Sequence, residues 1–274
     1  MARSVHFVLR CLATAAALLV TAPAAAQFAA LDRMDHGHLI GLQTDFTHEG
    51  GSEDMLPRTE IYGTFQFDPH LGFYAQFPFV HMLPAKGESE SAMGNLEMGG
   101  FFNANLGGAG VVVRLGVGLP TSKLEGGNAQ ALQRNAWPRL TDYALQLPET
   151  TTIRASVSPT ASAGAFFFRA DVGTDILLDQ GERDSQLLLR ANVGVGVRIK
   201  GVALTGEFVN LGNAQELADD AFAHSLAVSV RHGVLYTGVT TPIDEDRVIW
   251  AWTVGLSTEI ADDRNSRRRR VRGR

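Results

Sequence analysis

The amino-acid sequence predicts an all-β fold, a transmembrane antiparallel up-and-down β-barrel of about 12 strands. Three observations lead there. Segments close to the length a tilted strand needs to cross an outer membrane, about ten residues, alternate between apolar and small or polar positions. The connections between them alternate between tight turns and longer polar loops. Ahead of them stands a stretch with the parts of a secretory signal.

The clearest strand is Gly110–Pro120, GVVVRLGVGLP. Val111, Val113, Leu115, Val117 and Leu119 share one face, and Val112, Arg114, Gly116 and Gly118 share the other. A wholly aliphatic face suits lipid. The glycines and arginine are expected to line something narrow. Leu187–Ile199 repeats the pattern, with Arg190, Asn192, Gly194, Gly196 and Arg198 opposite a row of aliphatic residues.

Composition narrows the class. The net charge of −5 over 274 residues argues against nucleic acid as a partner. No apolar run after the N-terminus is long enough for a membrane-spanning helix, whereas alternating barrel strands average to the neutral mean hydropathy seen here. Residues 1–26 read as a signal peptide: Arg3 and Arg10 precede the apolar Cys11–Val20, and Ala24-Ala25-Ala26 fits the cleavage site. Cys11 is the single cysteine and lies too early for lipidation. A chain processed to begin at Gln27 has no disulfide and no cysteine-based metal or nucleophile site.

In order, a linker over residues 27–37 leads to strands at His38–Thr47, Thr59–Phe67 and Leu71–Val80. Their lipid faces carry Ile40, Leu42 and Phe46, then Ile61, Phe65 and Phe67, then Phe73, Phe77 and Phe79. Asn95–Leu106 and Gly110–Pro120 form the next hairpin. The longest irregular segment, to about Thr151, is placed outside the cell, with a short helix over Leu140–Leu147 after the turn-favouring Trp137-Pro138. Ile153–Ser158 is a weaker strand, and Pro159–Ala165 a connection of intermediate length. Phe166–Leu177, Leu187–Ile199 and Val202–Asn210 follow, then a loop that is helix-like around Ala214–Asp219. His224–Arg231, Val234–Thr241 (whose facing is not assigned) and Val248–Ile260 complete the barrel of residues 38–260. Residues 261–274 form a basic tail, RNSRRRRVRGR from Arg264, expected to be solvated without a dedicated partner, with anionic lipid or envelope polymers as the alternative contact. The tight turns near Pro69, Gly108, Gly201 and Gly233 fall on the periplasmic side. A secreted β-sandwich is the competing fold, but its strands would be shorter.

The inward charges are Asp45, Glu60, Glu97, Arg114, Arg154, Arg169, Asp171, Asp175, Arg190, Arg198, Glu207 and Glu259. Mixed signs are expected to pair across the lumen rather than form a filter of one sign. Catalytic groupings are thin: His48 lies near Asp45 or Glu49, and His224-Ser225 is an isolated dipeptide. No phosphate loop, dinucleotide fingerprint or cofactor site is legible, and His36 with His38 is a weak pattern for a metal. Trp250 and Trp252 suit an aromatic girdle at the outer rim.

GNLEMGGFFNANL followed by VVVRLGVGLPTS, with LGFYAQFPFV upstream, resembles the meta-pathway phenol-degradation outer-membrane proteins, a broad group of transporter-like barrels. In that group a strand opening on Gly-Asp or Gly-Asn precedes one ending in Leu-Pro-Thr-Gly. Here Ser122 replaces the last glycine, and the likeness covers about a quarter of the chain. It implies a barrel admitting small hydrophobic or aromatic compounds and carries over no site residue. The expected function is therefore a monomeric passive channel or transporter-like barrel, not an enzyme, with outer-membrane lipid and a small solute as partners. Insertion by the barrel-assembly machinery is expected. A closed structural barrel binding a partner through its outer loops is the alternative, and an outer-membrane hydrolase the third reading.

Overall fold

A computed structural model describes residues 30, 37–51, 56–82, 89–105, 108–123, 132, 134–179, 185–215, 222–244 and 248–259. Residues 1–26, the basic tail, His36 and most of the helix-like Ala214–Asp219 lie outside them.

Among the described residues the strands are β1 (Leu39–Glu49), β2 (Leu56–Gln66), β3 (Leu71–Met82), β4 (Glu90–Met93), β5 (Leu96–Asn105), β6 (Ala109–Leu119) and β7 (Thr150–Ala163). They continue with β8 (Phe166–Asp179), β9 (Gln186–Ile199), β10 (Val202–Asn213), β11 (Phe222–His232), β12 (Leu235–Pro242) and β13 (Val248–Glu259). Sequential strands pair antiparallel and β1 pairs with β13, so twelve strands close into a barrel, with β4 as one extra strand. Closure matters because lipid offers no partner to an unpaired strand edge.

The outer face explains the alternation. Phe73, Leu115, Val172 and Val228 are each more than half exposed, and similar side chains surround the barrel. An apolar surface this continuous is incompatible with water and fits hydrocarbon. Trp252 stacks on Phe46 at 5.7 Å and donates its indole N–H to Thr237 Oγ1 (2.8 Å), while Trp250 lies beside His48. The chain is an outer-membrane β-barrel.

The structure corrects four expectations drawn from the sequence and settles a further point, the facing of β12. β7 runs fourteen residues, through Pro159 to a tight turn at Gly164-Ala165, instead of ending at Ser158. Pro159 has no N–H, so pairing with β8 is interrupted between Val157↔Val172 and Thr160↔Arg169, yet the register is the same on both sides. β2 begins at Leu56, three residues before Thr59, which brings Arg58 into the wall. β4, read as loop, pairs with the upper end of β3, and Gly94-Asn95 breaks what would otherwise be one strand with β5. β12 acquires a facing: Tyr236, Gly238, Thr240 and Pro242 point inward.

The fourth correction is the largest. The segment after Pro120 is not a free external loop. Trp137–Gln146 forms a 3-10 segment, kinked at Arg139, whose residues from Pro138 to Gln146 are buried except Tyr143. It touches β7 and β10 to β13 by packing and β2 and β3 by polar contacts, so it lies within the barrel.

Candidate functional site in the barrel interior

Inward positions on β1, β2, β5, β7, β8 and β9 carry charge, and the inward segment answers it. Asp142 receives Arg58 from β2 at 3.1 Å, Arg139 from its own turn at 2.6 Å and Gln76 from β3 at 3.3 Å. Arg154 on β7 approaches Asp142 at 3.7 Å, pairs with Glu97, and donates to Asp175 Oδ1 at 3.1 Å. Arg190 on β9 reaches the same Asp175 oxygen at 3.0 Å. Asp45 takes Arg58 at 3.3 Å and hydrogen bonds from Thr253 (2.6 Å) and Gln43 (2.8 Å). Buried ions this close hold one another in place, because an unpartnered charge at that depth would be costly.

Of the twelve inward charges expected from the sequence, ten are buried, among them Glu97, Arg114, Arg154, Arg169, Asp171, Asp175, Arg190 and Glu207. Arg169 pairs with Asp171 at 2.7 Å, and the Arg114 guanidinium lies 4.0 Å from the centre of the Tyr74 ring. Arg198 is exposed at the periplasmic mouth, over Phe167 at 5.6 Å, and Glu259 is half-buried there. Asp45 and Glu60 are fully buried. Arg58, Arg139 and Asp142 were not anticipated, although they sit at the centre of the network.

The opposite sector of the wall is apolar. Leu177, Leu188, Val209, Leu211 and Ala227 point inward from β8 to β11 and pack with Leu140 and Ala144 of the inward segment, with Trp137 and Tyr143 beside them. The segment is therefore amphipathic across the lumen: carboxylate and guanidinium face β2, β3 and β7, and aliphatic carbon faces β8 to β11. A sequence signal for this exists. Ile176-Leu177-Leu178 and Leu187-Leu188-Leu189 are apolar on both faces, unlike the lower parts of the same strands.

The segment is fastened at the Gly94-Asn95 break. Asn95 is fully buried; its amide donates to Leu147 O (2.7 Å) and Thr150 O (3.1 Å), and its carbonyl accepts from Ser122 N (3.0 Å). Thr121 Oγ1 donates to Gly94 O (2.9 Å) and accepts from Leu96 N (2.9 Å). The Gly-Asn and Pro-Thr-Ser elements noted in the sequence thus form one clasp across two strands.

Inward glycines do not line an open slot. Toward the periplasmic end, five of them face an aromatic ring across the ladder: Gly41↔Tyr62, Gly72↔Phe101, Gly99↔Tyr74, Gly196↔Phe167 and Gly255↔Tyr236. The rings lie flat where a Cβ would otherwise stand. Tyr236 donates its hydroxyl to Gln43 (2.8 Å), and Tyr74 to Glu97 (2.6 Å). The result is an aromatic collar below the charged network.

The histidine groupings are taken apart by the alternation. His48 faces outward against Trp250, whereas Asp45 points inward and Glu49 is held by Arg134. His224 pairs with Asp244 at 2.6 Å on the outer side, and Ser225 is buried inside. His38 packs against Phe65.

No protein-family model matches the chain, and no curated protein matches it in sequence. Among solved structures it is similar to the COG4313 outer membrane channel from Pseudomonas putida F1, with a TM-score of 0.58 and 10% identity over 85% of this chain and 99% of that one. The translocator domain of the autotransporter NalP from Neisseria meningitidis gives a TM-score of 0.44 at 8% identity, covering 84% and 91%. OmpT of Vibrio cholerae, lacking loop L8, gives 0.42 at 8%, covering 81% and 98%. The first supports the outer-membrane barrel fold.

Proposed function

We propose that the protein is a passive outer-membrane channel for small solutes, held closed by the inward segment. One observation supports this above the others: Trp137–Gln146 is not part of the wall but is lodged in it by side-chain contacts. A barrel of this strand number lies between filled eight-stranded barrels and open porins, so moving such a segment changes whether a path exists. The apolar wall of β8 to β11 suits small hydrophobic or aromatic solutes, the class that the family resemblance also implies. Histidines and inward carboxylates on opposite faces of the sheet favour no catalytic role.

The test is conductance in planar bilayers. The intact chain should be nearly silent, and a chain in which residues 124–149 are replaced by a short Gly/Ser turn should conduct steadily. Silence of both proteins, each shown to be folded by heat-modifiable migration, would refute the channel. The density of buried ion pairs favours a second reading, a permanently filled structural barrel, and that silence is what this reading expects.

A further inference from the structure

We propose that the histidines are the membrane anchors of this barrel, two rows of imidazoles that bind the lipid headgroup layers on either side of the bilayer and fix its depth. The six histidines among the described residues fall into three pairs, and each pair brackets one strand. His38 and His48 stand at the two ends of β1, His70 and His81 at those of β3, and His224 and His232 at those of β11. His38, His70 and His232 thus form a periplasmic row, and His48, His81 and His224 an outer row. Five of them continue the lipid-facing alternation of their strands. His70, in the turn before β3, lies beside the lipid-facing Phe102.

The spacing matches a bilayer. The pairs on β1, β3 and β11 are ten, eleven and eight residues apart. At about 3.3 Å per residue and a tilt of about 40°, that is a rise of about 20–28 Å, against an apolar band of about 25 Å in outer-membrane barrels. The usual residues of an interfacial girdle are also committed elsewhere. Tyr62, Tyr74 and Tyr236 are buried in the lumen and Tyr143 belongs to the inward segment, so none of the four tyrosines reaches the lipid interface. Imidazole can take their place, with a carbon edge for the apolar side and a nitrogen for the polar one. His38 lies 4.7 Å from the Phe65 ring, His48 5.3 Å from Trp250 and His70 6.0 Å from Phe102, and His224 stacks on Phe208 at 5.8 Å. Asp244 holds His224 Nδ1 at 2.6 Å and Ser91 holds His81 Nδ1 at 2.8 Å, which turns Nε2 to the headgroups. The inference concerns the outer wall and holds whether or not the barrel conducts.

The test reads depth in phosphatidylcholine vesicles. In a Trp250→Phe parent, Trp252 is the lipid-facing tryptophan, and lipids brominated at successive acyl positions report its depth by quenching its fluorescence. Trp137, packed against the inward cluster, is out of their reach. With His48→Leu and His81→Leu together, the outer rim becomes apolar and should sink, carrying Trp252 about 2–3 Å deeper, one residue's rise along a tilted strand. His38→Leu with His232→Leu should draw the periplasmic rim inward and lift Trp252 by a similar distance. His48→Leu alone and His232→Leu alone form a milder pair with the same opposed directions. A folded variant whose Trp252 stays at the depth of the parent, or outer and periplasmic variants that move it the same way, would overturn the proposal.

Discussion

Arg58 and Asp142 stand 84 residues apart in sequence and 3.1 Å apart in the barrel, one in the wall and one in the segment lodged inside it. Asp142 is also within reach of Arg139 and Arg154, so a single carboxylate couples the inward segment to β2 and β7.

Asp142→Asn should therefore loosen the segment without changing its shape. Removing one partner of a buried network costs about 3–5 kcal/mol, because the remaining guanidinium groups lose their counter-charge. A lower midpoint of urea unfolding in liposomes, together with more frequent channel openings than in the unaltered protein, is the expected result. An unchanged midpoint would contradict the central place given to Asp142.

Asn95→Ala should open the clasp. The carbonyls of Leu147 and Thr150, the second of them buried, would lose the Asn95 donor, at about 1–3 kcal/mol for a buried group left unsatisfied. Limited proteolysis checks this: cleavage between residues 123 and 149 should accelerate while the barrel itself stays resistant.

Gly255→Val should push Tyr236 off the wall and destabilise the barrel by about 1–3 kcal/mol through overpacking. Combining it with Tyr236→Ala should recover part of that loss, and a double-mutant cycle on unfolding free energies measures the coupling. Additive effects would show that ring and glycine do not oppose one another.

On the lipid face, Leu115→Arg should cost about 2–4 kcal/mol and Leu71→Arg, near the periplasmic interface, about 0–1 kcal/mol. Equilibrium unfolding in liposomes of both variants gives the comparison. Equal costs would mean that Leu115 does not face the bilayer midplane.

The wall was legible and its contents were not, for physical reasons. Lipid imposes one rule on every outward position, so Val113, Leu115 and Val117 disclose the facing of β6 and the same rule orients the other strands. The interior imposes no such rule. Asp142 and Arg139 lie in a segment without strand periodicity, and nothing local in WPRLTDYALQ says that it turns inward. Arg58 follows Pro57, a residue that disfavours a strand interior, yet Pro57 pairs with Phe46 near the upper end of β2 and carries Arg58 into the wall. Gly116 and Gly255 were legible as inward glycines, but their purpose depends on Tyr74 two strands away and on Tyr236 in the adjacent strand, which only register supplies.

The ring-on-glycine pairs also bear on how the barrel finds its circumference. Sliding β2 along β1 by two residues keeps every side chain on its proper face, so the lipid rule does not forbid it. That slip would set Tyr62 opposite Gln43 or Leu39 instead of Gly41, and a flat ring cannot lie where a Cβ already stands. The same holds at Phe101 between β3 and β5 and at Tyr236 between β12 and β13. The rings thus act as a vernier that admits one stagger between strands, and with strand number given, stagger sets the tilt and width at which the sheet meets itself.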